Sequence, residues 1–171
     1  MANVADTIAL WLAEKQITHT FGIIGAGNIG IFDAIARLGK TQIINTHHEQ
    51  AAAQSATYYY RVCKKIAPVL VTTGAGSANA LTGVLAAFMD SQPILVISGN
   101  EPTNFFATSH PRVIGVQGYD SVEVARPMVK FAERMGVQTI EHLEAAYDSI
   151  LTPRYGPAWI DVPRDVQMRQ I

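Results

Sequence analysis

A chain of 171 residues, 49% hydrophobic and 16% charged, has the length for one domain with a substantial core. Its 13 Lys and Arg against 14 Asp and Glu leave a net charge of −1, which excludes a disordered polyelectrolyte and a basic nucleic-acid-binding surface. The charged fraction falls below the roughly 25% typical of globular chains, so the composition predicts apolar surface covered by another chain or domain.

Residues 4–15 carry Val4, Ile8, Ala9, Trp11 and Leu12 near helical spacing. Residues 18–24 are β-branched and aromatic and run into glycine, which predicts a strand ending in a loop. A short helix over 31–38 is closed by Gly39. A second strand is expected over 42–46, then an alanine-rich helix over 48–63. A third strand over 68–73 ends at Gly74-Ala75-Gly76 and is followed by a helix over 78–89. A fourth strand covers 93–98.

From 101 to 119 the composition is that of a long loop with room for one helical turn. A short strand over 128–132, a helix over 140–151 and a strand over 158–162, framed by Pro157 and Pro163, complete the chain. Strands separated by helices predict an α/β fold: a doubly wound, mainly parallel sheet with helices on both faces. In such sheets ligands bind beyond the carboxyl ends of the strands.

The single cysteine, Cys63, excludes an intrachain disulfide and a Cys-based zinc cluster. No apolar run reaches the roughly 18 residues of a membrane span, and the N-terminus has no basic signal region. The expected setting is a reducing cytoplasm, without membrane or nucleic-acid partners.

Three segments carry candidate chemistry. The 25–30 segment, Gly-Ala-Gly-Asn-Ile-Gly, matches G-x-G-x-x-G, and Glu49 lies where a ribose-binding acid would. That dinucleotide reading is weakened by the helix that precedes the strand, by the short helix that follows, and by the position of Glu49 at the start of a helix. His47, His48 and Glu49 are adjacent, so they cannot converge on one metal ion from regular structure; no metal ligand is expected in the chain. Glu49 could equally be a first-turn residue facing a helix dipole. Thr72-Thr73-Gly74-Ala75-Gly76 is a strand-to-helix turn without the lysine of a P-loop, either a tight turn only or a place where backbone N–H groups meet a ligand. Ser77 lies outside any G-x-S-x-G motif. Tyr58, Tyr59 and Tyr60 are expected to lie on a helix face that reaches an interface.

Taken in order, these segments resemble the N-terminal pyrimidine-binding (Pyr) domain of thiamine-diphosphate-dependent enzymes of the acetolactate synthase, pyruvate oxidase and 2-oxo acid decarboxylase type. Phe21-Gly22-Ile23-Ile24-Gly25 resembles F-G-I-P-G. His48-Glu49-Gln50-Ala51-Ala52 resembles H-E-x-A-A, and residues 56–61 resemble A-D-G-Y-A-R. Residues 72–79 resemble T-S-G-P-G-x-x-N. Asp90-Ser91-Gln92-Pro93, Val116-Gln117 and the segment from Gly156 to Pro163 match further family motifs in sequence. The departures are Ile24 and Ala75 for proline, Thr57, Tyr58 and Tyr60 for D, G and A, and Gly118 for glutamate.

The resemblance implies a Pyr domain over 1–165, with 166–171 starting a linker or tail. It implies thiamine diphosphate as cofactor and Glu49 as the carboxylate that activates it from the aminopyrimidine ring. Gln117 would act on the substrate side. Ile24, Gly25, Thr72, Gly76 and Asn79 would line the pyrimidine pocket with Glu49. The diphosphate and its Mg²⁺ would be held by a partner domain or subunit, since the G-D-G…N motif is not among these residues. The implied reaction is decarboxylation of a small 2-oxo acid such as pyruvate, with transfer of the carbanion to an acceptor or a proton, in a homo- or hetero-oligomer. A dinucleotide-binding oxidoreductase and a non-catalytic interaction module are the competing readings.

Overall fold

The computed structural model describes residues 2–107, 112–136 and 138–171. The first helix, α1 (Val4–Glu14), opens with a capping box: Asn3 Oδ1 accepts from Asp6 N, and Asp6 Oδ2 accepts from Asn3 N. There follow β1 (His19–Gly22), α2 (Ile29–Leu38), β2 (Gln42–Asn45), α3 (Glu49–Cys63), β3 (Val69–Val71), α4 (Ala75–Met89) and β4 (Leu95–Asn100). A 3₁₀ turn at Thr103–Ala107 supplies the helical turn expected in the long loop. The chain continues through α5 (Ser121–Ala125), a 3₁₀ turn, β5 (Phe131–Arg134), α6 (Thr139–Leu151), β6 (Ala158–Pro163) and a short α7 (Arg164–Gln167).

All six strands are parallel, in the order β2-β1-β3-β4-β6-β5. Period-two alternation sends side chains from each buried strand to opposite faces. Leu70, Leu95, Ile97, Ala158 and Ile160 join α1, α2 and α6 in one core layer. Val69, Val71, Val96 and Trp159 join α3, α4 and α5 in the other. The doubly wound α/β architecture is therefore as the helix–strand alternation predicts. The direction of winding reverses between β1 and β3, and that break opens the crevice in which such sheets bind ligands.

Several boundaries differ from the sequence reading. Helix α4 begins three residues earlier than expected, because Gly74 (φ 70°, ψ −131°) is its N-cap and only the glycine itself is turn-like. Strand β4 runs on through Gly99 and Asn100, which pair with Val162 and Pro163 of β6. The strand expected over 128–132 lies at 131–134, displaced by the 3₁₀ turn of Arg126–Met128. Residues 166 and 167, expected to begin a linker, pack inward: Val166 joins the core, and Gln167 Nε2 donates to the carbonyls of Gly27 and Val162. The tyrosine run does not share one face. Tyr58 is exposed beneath Arg61, Tyr59 packs on His19 and Phe21, and Tyr60 meets Tyr155. Among the described residues no helix is long and apolar enough to cross a membrane.

Candidate active site

Parallel strands with antiparallel helices place every βα loop, and every helix N-terminus, at one edge of the sheet. Glu49 is the first residue of α3 at this edge. His48 caps that helix, its Nδ1 accepting from Gln50 N at 3.2 Å, so its ring has a structural task. Glu49 is buried to 8% exposure at the positive end of the helix dipole. Its two oxygens differ. Oε2 accepts from Asn79 Nδ2 at 3.0 Å; Oε1 takes no hydrogen bond among the described residues. Oε1 faces Gly76, where a Cβ would stand 3.2 Å away, so a side chain at that position would crowd the carboxylate.

Thr72 sits at the centre of the same cluster. Its Oγ1 accepts from Gly27 N at 2.9 Å, and a Cβ on Gly25 or Gly76 would come within 2.6 or 2.7 Å of its side chain. Gly25, Thr72, Gly76, Asn79 and Glu49 thus form one continuous surface from three βα loops. Ile24 lies on the exposed rim, 53% accessible. Gln117 arrives from another direction. It is exposed on a turn closed by reciprocal Ile114 and Gly118 backbone hydrogen bonds, and it rests against Gly74. With Gly27, Thr73, Asn100, Glu101 and Arg164 it borders a cavity of about 200 Å³.

The same geometry disfavours the dinucleotide reading of the G-x-G-x-x-G segment. Gly25 N donates to Asn28 Oδ1, Gly27 N to Thr72, and Asn28 N to Gly25 O. These three amides are therefore engaged by the protein itself. The loop is also pressed on β4, where a Cβ at Gly99 would lie 2.0 Å from Gly27 O. Glu49 opens α3 instead of closing β2, the position a ribose-binding acid requires.

Behind the loops lies a buried polar group of residues that sequence patterns do not disclose. Asp161, on β6, accepts from Ser121 Oγ, Arg134 Nε and Asn100 Nδ2. Burial pushes its carboxyl up, and the hydrogen bonds from Arg134, Ser121 and Asn100 pull against that shift. Tyr119 is likewise pushed up by burial, opposed by its hydrogen bond with Ser77. The only sequence trace was that Asp161 and Tyr119 lie in or beside recognisable motifs; their meeting depends on the strand order.

The strand-end edge of this parallel α/β sheet thus presents a buried carboxylate at a helix N-terminus beside a glycine-lined crevice, an arrangement that suits a pyrimidine-binding domain of a thiamine-dependent enzyme. The chain belongs to the family described as thiamine pyrophosphate enzyme, N-terminal TPP binding domain, which it matches over residues 2–121. It is 34% identical over 163 residues to the acetolactate synthase large subunit of Haemophilus influenzae, covering 94% of this chain and 28% of that protein. It is 31% identical over 168 residues to the acetolactate synthase isozyme 3 large subunit of Escherichia coli K12, covering 97% and 28%. A probable acetolactate synthase large subunit of Methanocaldococcus jannaschii is 30% identical over 169 residues, covering 98% and 28%. The chain therefore spans little more than a quarter of the length of these relatives.

Proposed function

We propose that this chain supplies the pyrimidine half of a thiamine-diphosphate site in an acetolactate synthase-like enzyme, with Glu49 as the activating carboxylate. The observation that carries the reading is the asymmetry of Glu49: Asn79 holds one oxygen, and the other is left open beside Gly76. A fixed carboxylate with one free oxygen suits a hydrogen bond to a ring nitrogen of the aminopyrimidine, where it would hold a proton and tune the acid–base state of the ring. When bound, thiamine diphosphate supplies the carbon nucleophile and electron sink for decarboxylating a 2-oxo acid such as pyruvate. Asn79 orients Glu49; Thr72, Gly25 and Gly76 shape the pyrimidine wall; Ile24 forms the rim; Gln117 faces the substrate. Carboligation to an acceptor fits the acetolactate synthase relatives better than protonation does.

A partner domain or subunit would hold the diphosphate and Mg²⁺. Helix α4 supports this. It has no charged residue, and Ala75, Ala78, Asn79, Thr82, Leu85, Ala86 and Met89 form an exposed stripe that starts beside Glu49. Such a face is suited to burial against another domain in an oligomer. A cytoplasmic setting belongs to the same reading, in which the single cysteine, Cys63, stays a thiol. The test is calorimetric titration of the chain with a diphosphate-binding domain. Thiamine diphosphate with Mg²⁺ should bind and NAD(P) or FAD should not; the reverse pattern would refute the reading.

A further inference from the structure

The Asn100 side chain is 2% exposed and ties its own strand end to three other segments. Its Nδ2 donates to both oxygens of Asp161 (3.0 and 3.1 Å) and to Tyr119 O (3.2 Å). Its Oδ1 accepts from Glu101 N and Thr73 Oγ1, each at 2.9 Å. The amide orientation is fixed by chemistry: a carboxylate and a carbonyl require the nitrogen, while a backbone N–H and a hydroxyl require the oxygen. Asp161 is fixed in turn by Ser121 and Arg134.

Two of the segments held by Asn100 bear the site. Thr73 leads into Gly74 and α4, which carries Gly76 and Asn79. Tyr119 and Glu101 hold the turn bearing Gln117: Gln117 N donates to Glu101 Oε1, and the Tyr119 and Ser77 hydroxyls lie 3.1 Å apart. The turn lies so close that a Cβ on Gly118 would stand 2.9 Å from Asn100 Oδ1 and 2.7 Å from Glu101 Cγ. Gly118, where glutamate is usual in the resembling motif, is therefore fitted to this packing.

We infer that Asn100, anchored by Asp161, is a positioning residue that sets the Gln117 turn against Gly74 at the start of α4. Gln117 touches the Gly74 backbone through its own main chain and stem, so a shift of the turn moves Gln117 relative to the α4 residues that face Glu49. The inference gives Gln117 a defined place in the site, and in that respect rests on the proposed function.

The test is amide hydrogen exchange by NMR on the full chain without cofactor, comparing wild type with Asn100→Asp. That substitution keeps the shape but turns an oxygen toward Asp161 and Tyr119 O. The Ile114 and Gly118 amides, which bond reciprocally across the turn, should exchange at least about tenfold faster, the equilibrium worth of one or more lost hydrogen bonds. The β1 and β3 amides should keep their relative protection. Unchanged exchange at Ile114 and Gly118, or an equal loss throughout the sheet, would overturn the inference. If Asn100→Asp does not fold, Thr73→Val removes one donor only and should give a smaller rise confined to the same two amides; no local rise there overturns it equally. Because no thiamine is present, the outcome is independent of the functional reading. A local rise in exchange would uphold the positioning role even if the chain with its partner domain bound no thiamine diphosphate.

Discussion

The two edges of the sheet are built from the same helices and strands but have opposite electrostatic character. At the carboxyl edge helix N-termini converge, and buried Glu49 and the glycine loops sit there. At the amino edge α1, α2, α3 and α6 end, and a larger cavity of about 920 Å³ opens among Leu10, Leu38, Tyr60, Tyr147, Lys40, Lys64 and Lys65. Volume alone would favour the amino edge. Helix polarity explains it otherwise: the unsatisfied carbonyls and negative dipole ends of four helices attract lysines, which answer that field without any ligand. The carboxyl edge offers what a reaction needs, a carboxylate fixed by a neighbour and left half free.

Breaking the carboxyl edge should have the largest effect on stability. Asp161→Ala leaves Arg134 and Asn100 Nδ2 facing an empty, buried position. Arg134 is partly exposed and keeps Asp120, so the cost comes mainly from the buried Asn100 and Ser121 groups left without their acceptor, about 1–3 kcal/mol each. Urea unfolding should show the midpoint fall steeply with little change in slope.

The amino edge should respond weakly, and in one case favourably. Lys64 follows α3 in the left-handed conformation, φ 56°, where glycine is preferred. Lys64→Gly should raise stability by about 0.5–1 kcal/mol, less whatever its contact over the Tyr60 ring contributes. Thermal melts would measure it, and activity with the partner domain should be unchanged.

The smallest effect is electrostatic. The Lys15 ammonium and the Trp11 indole N–H hold Glu144 below its usual 4.5. A depressed carboxyl binds protons more readily when unfolded, so its contribution is present above pH 4.5 and lost as pH falls through the folded value. The Lys15–Glu144 pair is partly exposed, so the loss is a few tenths of a kcal/mol, on the scale of surface ion pairs. Asp161, raised by burial, acts in the opposite direction: its contribution is greatest in acid and declines as pH rises through its folded value. Comparing Glu144→Gln with wild type from pH 3 to 7 should show the difference shrink toward the acid end.

Legibility in the sequence followed the range of the forces involved. Helix α2 and its Gly39 cap, the parallel sheet, and Glu49 at the head of α3 were readable because periodicity and capping are local. The start of α4 is not legible because Gly74 and Gly76 read alike, although Gly74 is a cap and Gly76 is already helical. Ala75 takes the first helical position, which proline favours for its fixed φ, so the departure from proline leaves the helix start intact. Helix α5 is five residues long and alternates polar and apolar residues, giving no helical period. The Asn100–Asp161 contact joins residues 61 apart through adjacent strands, and only the strand order brings them together.

The central claim is that Glu49 acts on the cofactor. Glu49→Gln keeps the shape and the contact with Asn79 but removes the charge. It should change stability by no more than about 2 kcal/mol, the upper range for a buried or partly buried charge in the first turn of a helix. The direct measurement is the C2–H exchange rate of thiamine diphosphate bound to the chain and its partner domain, read by NMR after acid quench. The account predicts a rate at least roughly 10²-fold slower in Glu49→Gln than in wild type, with cofactor bound in both. Equal rates at equal occupancy would contradict it.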